Sequence, residues 1–457
     1  MAKPKIIVAG ILDTKGEEVR FLVDRIRKAG GEAKVLELSV GKEVGWADIG
    51  LGELLKRSQT SHSKLFSLER SKASELIVRG AVQWVSESLQ RGEIDGFVAL
   101  GGGLGTSMAT RIMRTLPIGM PKLMITSMAS GDVSSYVGTR DITMLYPIAE
   151  AGLNAITRKI LNYAAAGIVG MAGADPMPPG REKPLVGCTM MGTTTPCVLR
   201  ASKLIEDQAH CEMMINHAVG SGGRSMEELI SEGQIIGMLD VTTHEITDFL
   251  FGGILNAGPN RLTAAGQKGI PQVVSTGELE LIVFGPRDTI PNRLVEEEAA
   301  GVPGRRIHVH HPAISTAGIT LEEAFLIGRH ISGKIFAAKG PTLLCIPLRG
   351  WGSYEIAGPN LSLGWAGPGP GPLWIGDPEK PQWSFRVRGF IDGLLKDVDD
   401  YEPNIQIVLA DMHINEPAFA DLLAESLCEM LSGNWRGIKH FNDERIFPLG
   451  SKSFPYR

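Results

Sequence analysis

A cluster of glycines separates an apolar run from an amphipathic one in the segment Asp95–Met113, DGFVALGGGLGTSMATRIM. Glycine has no side chain, so such a cluster exposes backbone amides and lets a ligand approach the main chain. Thr106 and Ser107 follow at the expected helix start, where either could be the cap. The lysine of a Walker loop is absent, and Thr106 replaces the last glycine of a strict dinucleotide motif. The segment predicts an anion-binding helix N-terminus, with a tight packing turn as the alternative.

Two further segments of the first half carry similar residues. Gly10–Glu18 reads GILDTKGEE and Ser127–Asp141 reads SMASGDVSSYVGTRD, and each follows an apolar run typical of a buried strand. Because the carboxyl ends of parallel strands meet at one edge of a sheet, we expect the three segments to outline one pocket. Lys15 would neutralise a phosphate and Asp13 would hold a ribose hydroxyl or a metal-bound water, but an N-cap aspartate beside an exposed lysine is an equal alternative. Asp141 could also simply begin the next strand.

The second half places a histidine and several hydroxyl groups after strand-like runs. His217 precedes the turn GSGG, where a histidine can act as general acid or base, and a structural histidine is an equal alternative. Asp240 ends another run, where a capped helix start is the competing explanation. We predict His217 and Asp240 as the catalytic residues. The predicted substrate-binding residues are Thr193, Thr194, Gly220, Gly222 and Gly223.

Two histidine-containing segments are weaker candidates. His308 and His310 share one face of an expected strand, but zinc needs three or four ligands and no acidic or cysteine partner has suitable spacing. An edge strand is the preferred interpretation, and no metal ligand is assigned. Asp411, His413 and Asn415 alternate, so they would point to one side if their strand continues.

Strands and helices alternate throughout the first half, and this order would position the three loops. The runs KIIVAGIL, AKVLELSV, DGFVAL, KLMITS and DITMLYP predict strands, with helices between them. A last helix, EAGLNAITRKILNYA, is expected to bury Leu153, Ile156 and Ile160. The proline-rich segment 173–184 predicts a linker.

The same alternation restarts after the linker, in the runs PLVGCTMM, EMMINHAV, IIGMLDV, LELIVFG, RIHVHH, PTLLCIPL and NIQIVLADMHI. A weak internal similarity relates VALGGGLGTSMATRIM in the first half to INHAVGSGGRSMEELI in the second. A duplicated architecture and a chance resemblance explain it equally well. The order predicts an α/β fold of two doubly wound, Rossmann-like domains with mainly parallel sheets. We place a nucleotide-binding domain at 1–180 and a second α/β domain at 181–457.

The composition narrows the classes of partner. The 457 residues carry a formal net charge of −5, so no basic excess favours nucleic acid or an anionic membrane. The five cysteines are widely spaced without a C-x-x-C pair, which favours a reduced, cytoplasmic setting. Cys188 and Cys197 lack an obvious paired base and are expected to be buried. The run IIVAGIL is too short, and wrongly flanked, for a signal peptide.

Seven segments, taken in order, resemble one known family. They are AGILDTKGEE, ALGGGLGTS, SGDVSSYVGTRDITMLYPIAEAGLN, GTTTPCV, HAVGSGGRSMEELI, LDVTTHEITD with GGILNAGPNRL, and DMHINEPAFAD. Together they resemble the ATP-binding domain family found at the N-terminus of the tomato protein that confers resistance to tomato mosaic virus, and in standalone bacterial proteins. The resemblance implies two α/β subdomains, ATP bound to the first, with or without Mg²⁺, and a homodimer or higher homo-oligomer. The nucleotide contacts so expected are Gly10, Asp13, Thr14, Lys15, Gly101, Gly102, Gly103, Gly105, Thr106, Ser107, Ser127, Ser130, Gly131, Asp132, Val133 and Tyr136.

The chain also departs from that family. HAVGSGG has Val219 and Ser221 where threonines are expected, and His311 stands where asparagine is usual. The Trp-, Gly- and Pro-rich stretch 349–383 is longer than in relatives, and its tryptophans suggest a subunit interface slightly more than an aromatic lid. We therefore expect a cytoplasmic ATP-binding protein that acts as a metabolic enzyme on a small acid in the cleft between its domains. The alternative is a non-catalytic, nucleotide-dependent protein-binding module.

Overall fold

Two compact units make up the chain. The computed structural model describes residues 2–175, 183–398, 402–438 and 443–449. The units are Met1–Gly180 and Arg181–Arg457, and each is described by itself. Most of the expected linker 173–184 lies outside the described residues.

The first unit alternates strands and helices. Its elements are β1 (Lys5–Gly10), α1 (Leu12–Lys28), β2 (Glu32–Glu37), α2 (Leu51–Arg57), α3 (His62–Phe66), α4 (Arg70–Gln90), β3 (Gly96–Gly101), α5 (Gly103–Met113), β4 (Lys122–Thr126), α6 (Ser134–Val137), β5 (Thr143–Leu145) and α7 (Ala155–Ala172).

The five strands of the first unit form one parallel sheet in the order β2-β1-β3-β4-β5. The continuous apolar runs of β1 and β3 fit a sheet that is buried on both faces, and both faces carry a hydrophobic core. The order reverses at β1, whose two neighbours are β2 and β3. In open α/β sheets such a reversal opens a crevice at the carboxyl ends of the strands, and ligands bind there.

The second unit is larger. Its elements are β6 (Leu185–Met190), α8 (Thr195–Ala209), β7 (Glu212–His217), α9 (Ser221–Ser231), β8 (Ile235–Thr242), α10 (Glu245–Phe251), α11 (Ala264–Lys268), β9 (Gln272–Gly277), β10 (Leu281–Phe284), α12 (Asn292–Ala299), β11 (Ile307–His311), β12 (Ile314–Gly318), α13 (Leu321–Ile335), β13 (Thr342–Pro347), α14 (Arg386–Leu395), β14 (Ile405–Ala410), α15 (Pro417–Leu431) and β15 (Ile446–Pro448).

The main sheet of the second unit has the order β15-β14-β13-β9-β8-β6-β7, in which only β15 is antiparallel. The strands β10, β12 and β11 form a separate antiparallel sheet. The prediction of a two-domain α/β fold with mainly parallel sheets is confirmed. Read from β7, the main sheet of the second unit has the order β7-β6-β8-β9-β13, which repeats the order β2-β1-β3-β4-β5 of the first unit. The internal sequence similarity does not follow this correspondence, because it relates β3, the third strand of the first unit, to β7, the second strand of the second unit.

Two local predictions were wrong. Ile156 is 54% exposed, because α7 begins only at Ala155 behind the cap Asn154 and buries another face. That face carries Thr157, Leu161, Ala164, Ala165 and Ile168. The strand β9 was missed altogether, although it is fully buried in the middle of the second sheet.

Candidate functional site

In the first unit, Lys15 and Ser127 converge on one carboxylate at the carboxyl edge of the sheet. Lys15 lies near the start of α1, and Ser127 directly follows β4. The Lys15 ammonium donates to the backbone carbonyl of Glu150 and lies 3.9 Å from its Oε1, while the Ser127 hydroxyl donates to Oε2. Lys15 is buried, whereas the Glu150 side chain is 61% exposed. A lysine and a hydroxyl that hold one carboxylate form an anion-binding arrangement.

The N-terminus of α5 lies against the same carboxylate. A side chain at Gly102 would collide with Glu150 Oε1, and a Cβ at Gly101 would lie 2.8 Å from the Cα of Gly105. Gly101 therefore needs glycine, because it meets backbone, whereas a side chain at Gly102 would displace the exposed Glu150 carboxylate. The N-cap is Gly102 and no side chain among the described residues caps the helix, so the expectation of a Thr106 or Ser107 cap was wrong. The positive end of the helix dipole is directed at the carboxylate.

Little space remains beside Glu150. A cavity of about 20 Å³ is lined by Lys15, Glu18, Gly101, Ser127, Glu150 and neighbouring residues of the loop that follows β5. That volume holds about one water molecule. A phosphate group would have to take the place of the Glu150 carboxylate.

Several of the other predicted nucleotide contacts already have partners within the protein. Asp13 Oδ2 accepts from the amides of Gly41 and Lys42, both at 3.2 Å, and so holds the segment after β2. The Thr14 hydroxyl donates to the Ile11 carbonyl at 3.1 Å. Neither the N-cap nor the ribose role predicted for Asp13 is needed to explain its position.

The hydroxyl of Thr106 is buried and faces the sheet. It donates to the Gly102 carbonyl at 2.7 Å and lies 2.6 Å from the Thr126 hydroxyl. Ser107 is partly buried one residue further along α5. Thr106 thus ties the start of α5 to the end of β4, which is a structural role.

The loop after β4 is the most exposed part of this edge. Ser130 donates to the Ser127 carbonyl at 2.9 Å, and Asp132 accepts from the Ser134 amide at 2.8 Å. That backbone hydrogen bond lowers the pKa of Asp132. Gly131 is exposed, whereas Val133 and Tyr136 are partly buried. Asp141 lies elsewhere, since it pairs at 2.8 Å with Lys122 at the amino end of β4.

In the second unit the glycine-rich turn after β7 is already occupied. Glu245 Oε1 accepts from the amides of Gly220 and Gly223 at 2.6 and 3.0 Å. A Cβ at Gly222 would collide with the His217 carbonyl. His217 itself is exposed at the end of an edge strand. The predicted anion site at this turn is thus filled by a carboxylate of the protein.

Asp240 is locked in a buried ion pair. Its two oxygens accept from Arg261 at 2.5 and 2.6 Å, and Oδ1 also accepts from Thr189 at 2.6 Å. Arg261 also donates to Glu245 at 2.6 Å. These contacts explain the position of Asp240 by a buried ion pair, without need of the predicted catalytic role. Nor do His217 and Asp240 meet, because β6 lies between their strands.

The residues that sequence reasoning missed follow β9. Glu278 and Glu280 are 4% and 0% exposed, and Glu278 has a left-handed φ of 59°. Such a backbone is uncommon outside glycine and is often found at functional sites. Burial lowers the pKa of His244, but Asp248, Glu278 and Glu245 raise it more, to about 9.

Of the predicted substrate-binding threonines, only Thr193 lies beside this cluster. Burial raises the pKa of Glu278, while His244 and the nearby Thr193 hydroxyl lower it. Thr194 is fully buried and bonds to Thr242 at 2.8 Å, which is a structural contact between β6 and β8.

His413 and Asn415 support the same region, but β14 ends at Ala410 and the expected alternation does not continue. The His413 Nδ1 accepts from the Asn415 amide at 3.1 Å, so its Nε2–H donates to the Gly352 carbonyl at 3.2 Å. Burial lowers the pKa of His413 to about 4. Asn415 donates to the Thr193 carbonyl at 2.8 Å.

Asp411 is separate from this pair, because it binds Arg349 at 2.8 Å and the Trp383 indole at 2.6 Å. In the stretch 349–383, Trp351 and Trp383 are buried within the second unit, and Trp365 and Trp374 are partly buried. The exposed aromatic surface on which the interface interpretation depended is therefore not found. The segment instead covers residues at the carboxyl edge of the second sheet.

His308 and His310 lie on β11, which is an edge strand as predicted. His310 Nδ1 contacts the Tyr354 hydroxyl. Within the described parts of the chain, no three or more histidine, cysteine or acidic side chains gather as a metal site. Cys188 and Cys197 are fully buried, as predicted. None of the described helices combines the length and apolar character needed to cross a membrane.

Comparison with known proteins relates both units to one family. Residues 4–176 match the model of the uncharacterised protein family (UPF0261) N-terminal domain, and residues 183–362 match that of its C-terminal domain. A UPF0261 protein of Clostridium tetani is 37% identical over 93% of this chain and 99% of its own length, and one of Mesorhizobium japonicum is 32% identical over 93% and 98%. The tomato ToMV resistance protein Tm-1(GCR237) is 28% identical over 93% of this chain and 56% of its own length.

Proposed function

The chain belongs to the UPF0261 family, and from that premise we propose that its first unit binds an adenine nucleotide, ATP with Mg²⁺, through the phosphate groups. The phosphates lie at the carboxyl ends of β1, β3 and β4. The observation that carries this proposal is the Glu150 carboxylate, which Lys15 and Ser127 hold beside Gly102.

A carboxylate and a phosphate are recognised by the same groups. Both are oxyanions that accept hydrogen bonds from ammonium, hydroxyl and amide donors. Lys15 and Ser127 come from different strand ends, so their convergence requires the fold and is not a local accident of sequence. In the unliganded state Glu150 neutralises these donors, and a nucleotide displaces it.

The uncapped start of α5 supplies the remaining attraction. Helix N-termini bind phosphate because their first amides have no intrahelical acceptor and the dipole favours negative charge. The order reversal lies between β1 and β3; Gly102 directly follows β3, and Lys15 lies in the first turn of the helix after β1. This is the usual ligand position in open α/β sheets.

The proposal assigns no catalytic role to His217 or Asp240, and it does not extend to a small acid in the second unit. There the glycine turn is occupied by Glu245, and the ends of β8 and β9 carry further buried carboxylates. An anionic substrate would meet negative charge at both places.

Isothermal titration of the intact protein with ATP, with and without Mg²⁺, tests the proposal. We expect saturable binding that Gly103→Asp weakens by at least about tenfold, because a negative charge at the helix start repels phosphate. Nothing lies within 4 Å of a Cβ at Gly103, so the substitution fits without distortion. The matched control, Gly103→Ala, adds a neutral group in the same space and should bind ATP like the wild type.

Absence of heat from ATP in the wild type, or equal affinities in the aspartate and alanine variants, would refute the proposal. A phosphate-release assay then separates the two forms of the proposal. Turnover identifies an enzyme. Binding without turnover identifies the nucleotide-dependent binding module, which the similarity to the tomato ToMV resistance protein also motivates.

A further inference from the structure

Four buried polar atoms at the carboxyl edge of the second sheet have no hydrogen-bond partner among the residues the structure describes. They are both carboxyl oxygens of Glu280, Oε2 of Glu278 and Oγ1 of Thr193. All three residues are at least nine-tenths buried. Buried polar atoms are nearly always paired, because an unpaired one costs about 1–3 kcal/mol. Several together therefore point to a missing partner.

One oxygen of Glu280 and the hydroxyl of Thr193 face one place, and Glu278 lies beside them. A Cβ on Gly352 would lie 2.6 Å from Glu280 Oε1 and 3.2 Å from Thr193 Oγ1, so both oxygens line the bare side of this glycine. Glu278 is adjacent, since the Thr193 hydroxyl affects its pKa and its own amide donates to the Trp351 carbonyl at 3.0 Å. We call Thr193, Glu278, Glu280 and Gly352 the paired-glutamate site.

The surrounding structure holds this site rigidly. Asn415 donates to the Thr193 carbonyl at 2.8 Å and to the Leu363 carbonyl at 2.9 Å. His413 donates to the Gly352 carbonyl at 3.2 Å. The oxygens of the site are thus positioned from several elements, as binding sites require.

Two cations lie near the site, His244 and Arg386, and both have partners elsewhere. His244 lies 3.5 Å from the Asp248 carboxylate, and although burial lowers its pKa, Asp248, Glu278 and Glu245 raise it to about 9. Arg386 is fully buried and donates to Glu355 at 2.6 Å and to the carbonyls of Ile319, Leu373 and Gly304 at 3.0 to 3.2 Å. Burial, Glu355 and Glu278 together raise the pKa of Glu280 well above its ordinary range. Arg386 lowers that pKa only in part, so Glu280 holds a proton when no further cation is bound.

We propose that the paired-glutamate site binds the primary ammonium group of a small molecule. An ammonium has three N–H donors and no acceptor, and Glu278, Glu280 and Thr193 offer oxygens from three side chains. A metal ion fits less well, because the described residues do not gather three charged or imidazole ligands there. This assignment is independent of the nucleotide proposal, since it concerns the other unit and a ligand of opposite charge.

Calorimetric titration of the intact protein with methylammonium and ethanolamine tests the assignment, after incubation because the site is closed. We expect saturable binding, and no binding of tetramethylammonium, which has the charge but no N–H group. Glu280→Gln should weaken binding at least about tenfold, while Glu322→Gln, on an exposed position of α13, should not. Titrations in two buffers of different ionisation enthalpy should show a proton released near pH 7 on binding, and none released in Glu280→Gln.

Three results would overturn the assignment. They are no binding of either amine, an equal response to tetramethylammonium, and amine binding that Glu280→Gln leaves unchanged. Saturable binding of Mg²⁺ or Mn²⁺ without amine binding, lost in Glu280→Gln, would make the site a metal site and would likewise overturn it. A folding defect is distinguished by the circular dichroism and unfolding midpoint of the variant, whose neutral amide replaces a protonated acid of the same shape.

Discussion

Replacement of Glu150 by glutamine should tighten ATP binding. In the proposed binding mode a nucleotide displaces the Glu150 carboxylate, which lies 3.9 Å from the Lys15 ammonium and is 61% exposed. The displaced carboxylate stays tethered near the phosphates and repels them. At about 4 Å and the dielectric constant of water, two unit charges interact by about 1 kcal/mol, which is a factor of about five in the dissociation constant. We use the dielectric constant of water because the side chain is mostly exposed.

The assay is a calorimetric ATP titration of wild type and Glu150→Gln at low and high salt. The gain should shrink as salt rises, since the Debye length falls from about 10 Å at 0.1 M to about 3 Å at 1 M, which is less than the separation of about 4 Å used here. The control is Glu69→Gln, which makes the same change in net charge at a side chain that is 78% exposed. If Glu150→Gln binds ATP as the wild type does, or more weakly, then the carboxylate does not occupy the phosphate position and the argument for this site fails.

Two further predictions concern the stability of the second unit, which contains five of the seven tryptophans and so dominates the fluorescence change on urea unfolding. Arg386→Met should cost about 3–5 kcal/mol of unfolding free energy, because it leaves Glu355 buried without the cation that pairs with it at 2.6 Å; a midpoint within error of the wild type would contradict this. For His413, burial lowers the pKa from 6.5 to about 4, so the unfolded state takes up the proton first as pH falls. The contribution of this pKa shift to the free energy of unfolding is complete above pH 6.5 and is lost as pH falls towards 4. The loss is on the order of 3 kcal/mol. The His413→Gln variant has no imidazole and cannot lose this free energy, so the difference in free energy of unfolding between variant and wild type should narrow from pH 6.5 to pH 4. A difference that stays constant over this range would show that His413 does not titrate there.

The sequence predicts the fold well because the information it uses is local. Runs such as KIIVAG are buried on both faces, and each is followed by a loop and an amphipathic helix, so strand order and the carboxyl edge follow from general rules. Three loops of the first unit were assigned to one edge in this way, and Lys15 and Ser127 do meet there. Glu150 was not predicted, because its loop follows the three-residue strand β5 and carries no distinctive motif.

Non-local pairing explains most of what the sequence did not show. Asp240 was predicted as catalytic from its place at a strand end, and its ion-pair partner Arg261 follows 21 residues later in an irregular segment. The strand β9 was missed because QVVSTG has only two adjacent large apolar residues, and LELIVFG after it was interpreted as one strand. A β-branched pair between Pro271 and Gly277 was the available signal, and recognising it would have placed Glu278 at a strand end.

The sequences of the two glycine-rich helix starts do not show which of them could bind an anion, but the structure distinguishes them. Both α5 and α9 follow a strand and a glycine turn, and each has a glutamate of the protein against that turn. Glu245 is fully buried, accepts hydrogen bonds from two backbone amides and pairs with Arg261. Displacing it would therefore break a buried charge network. Glu150 is mostly exposed and held by one lysine and one hydroxyl, so displacing it costs little. The same motif thus forms a buried internal contact in the second unit and, under the proposed function, an exchangeable anion site in the first. The difference lies in the burial of the glutamate and not in the glycines.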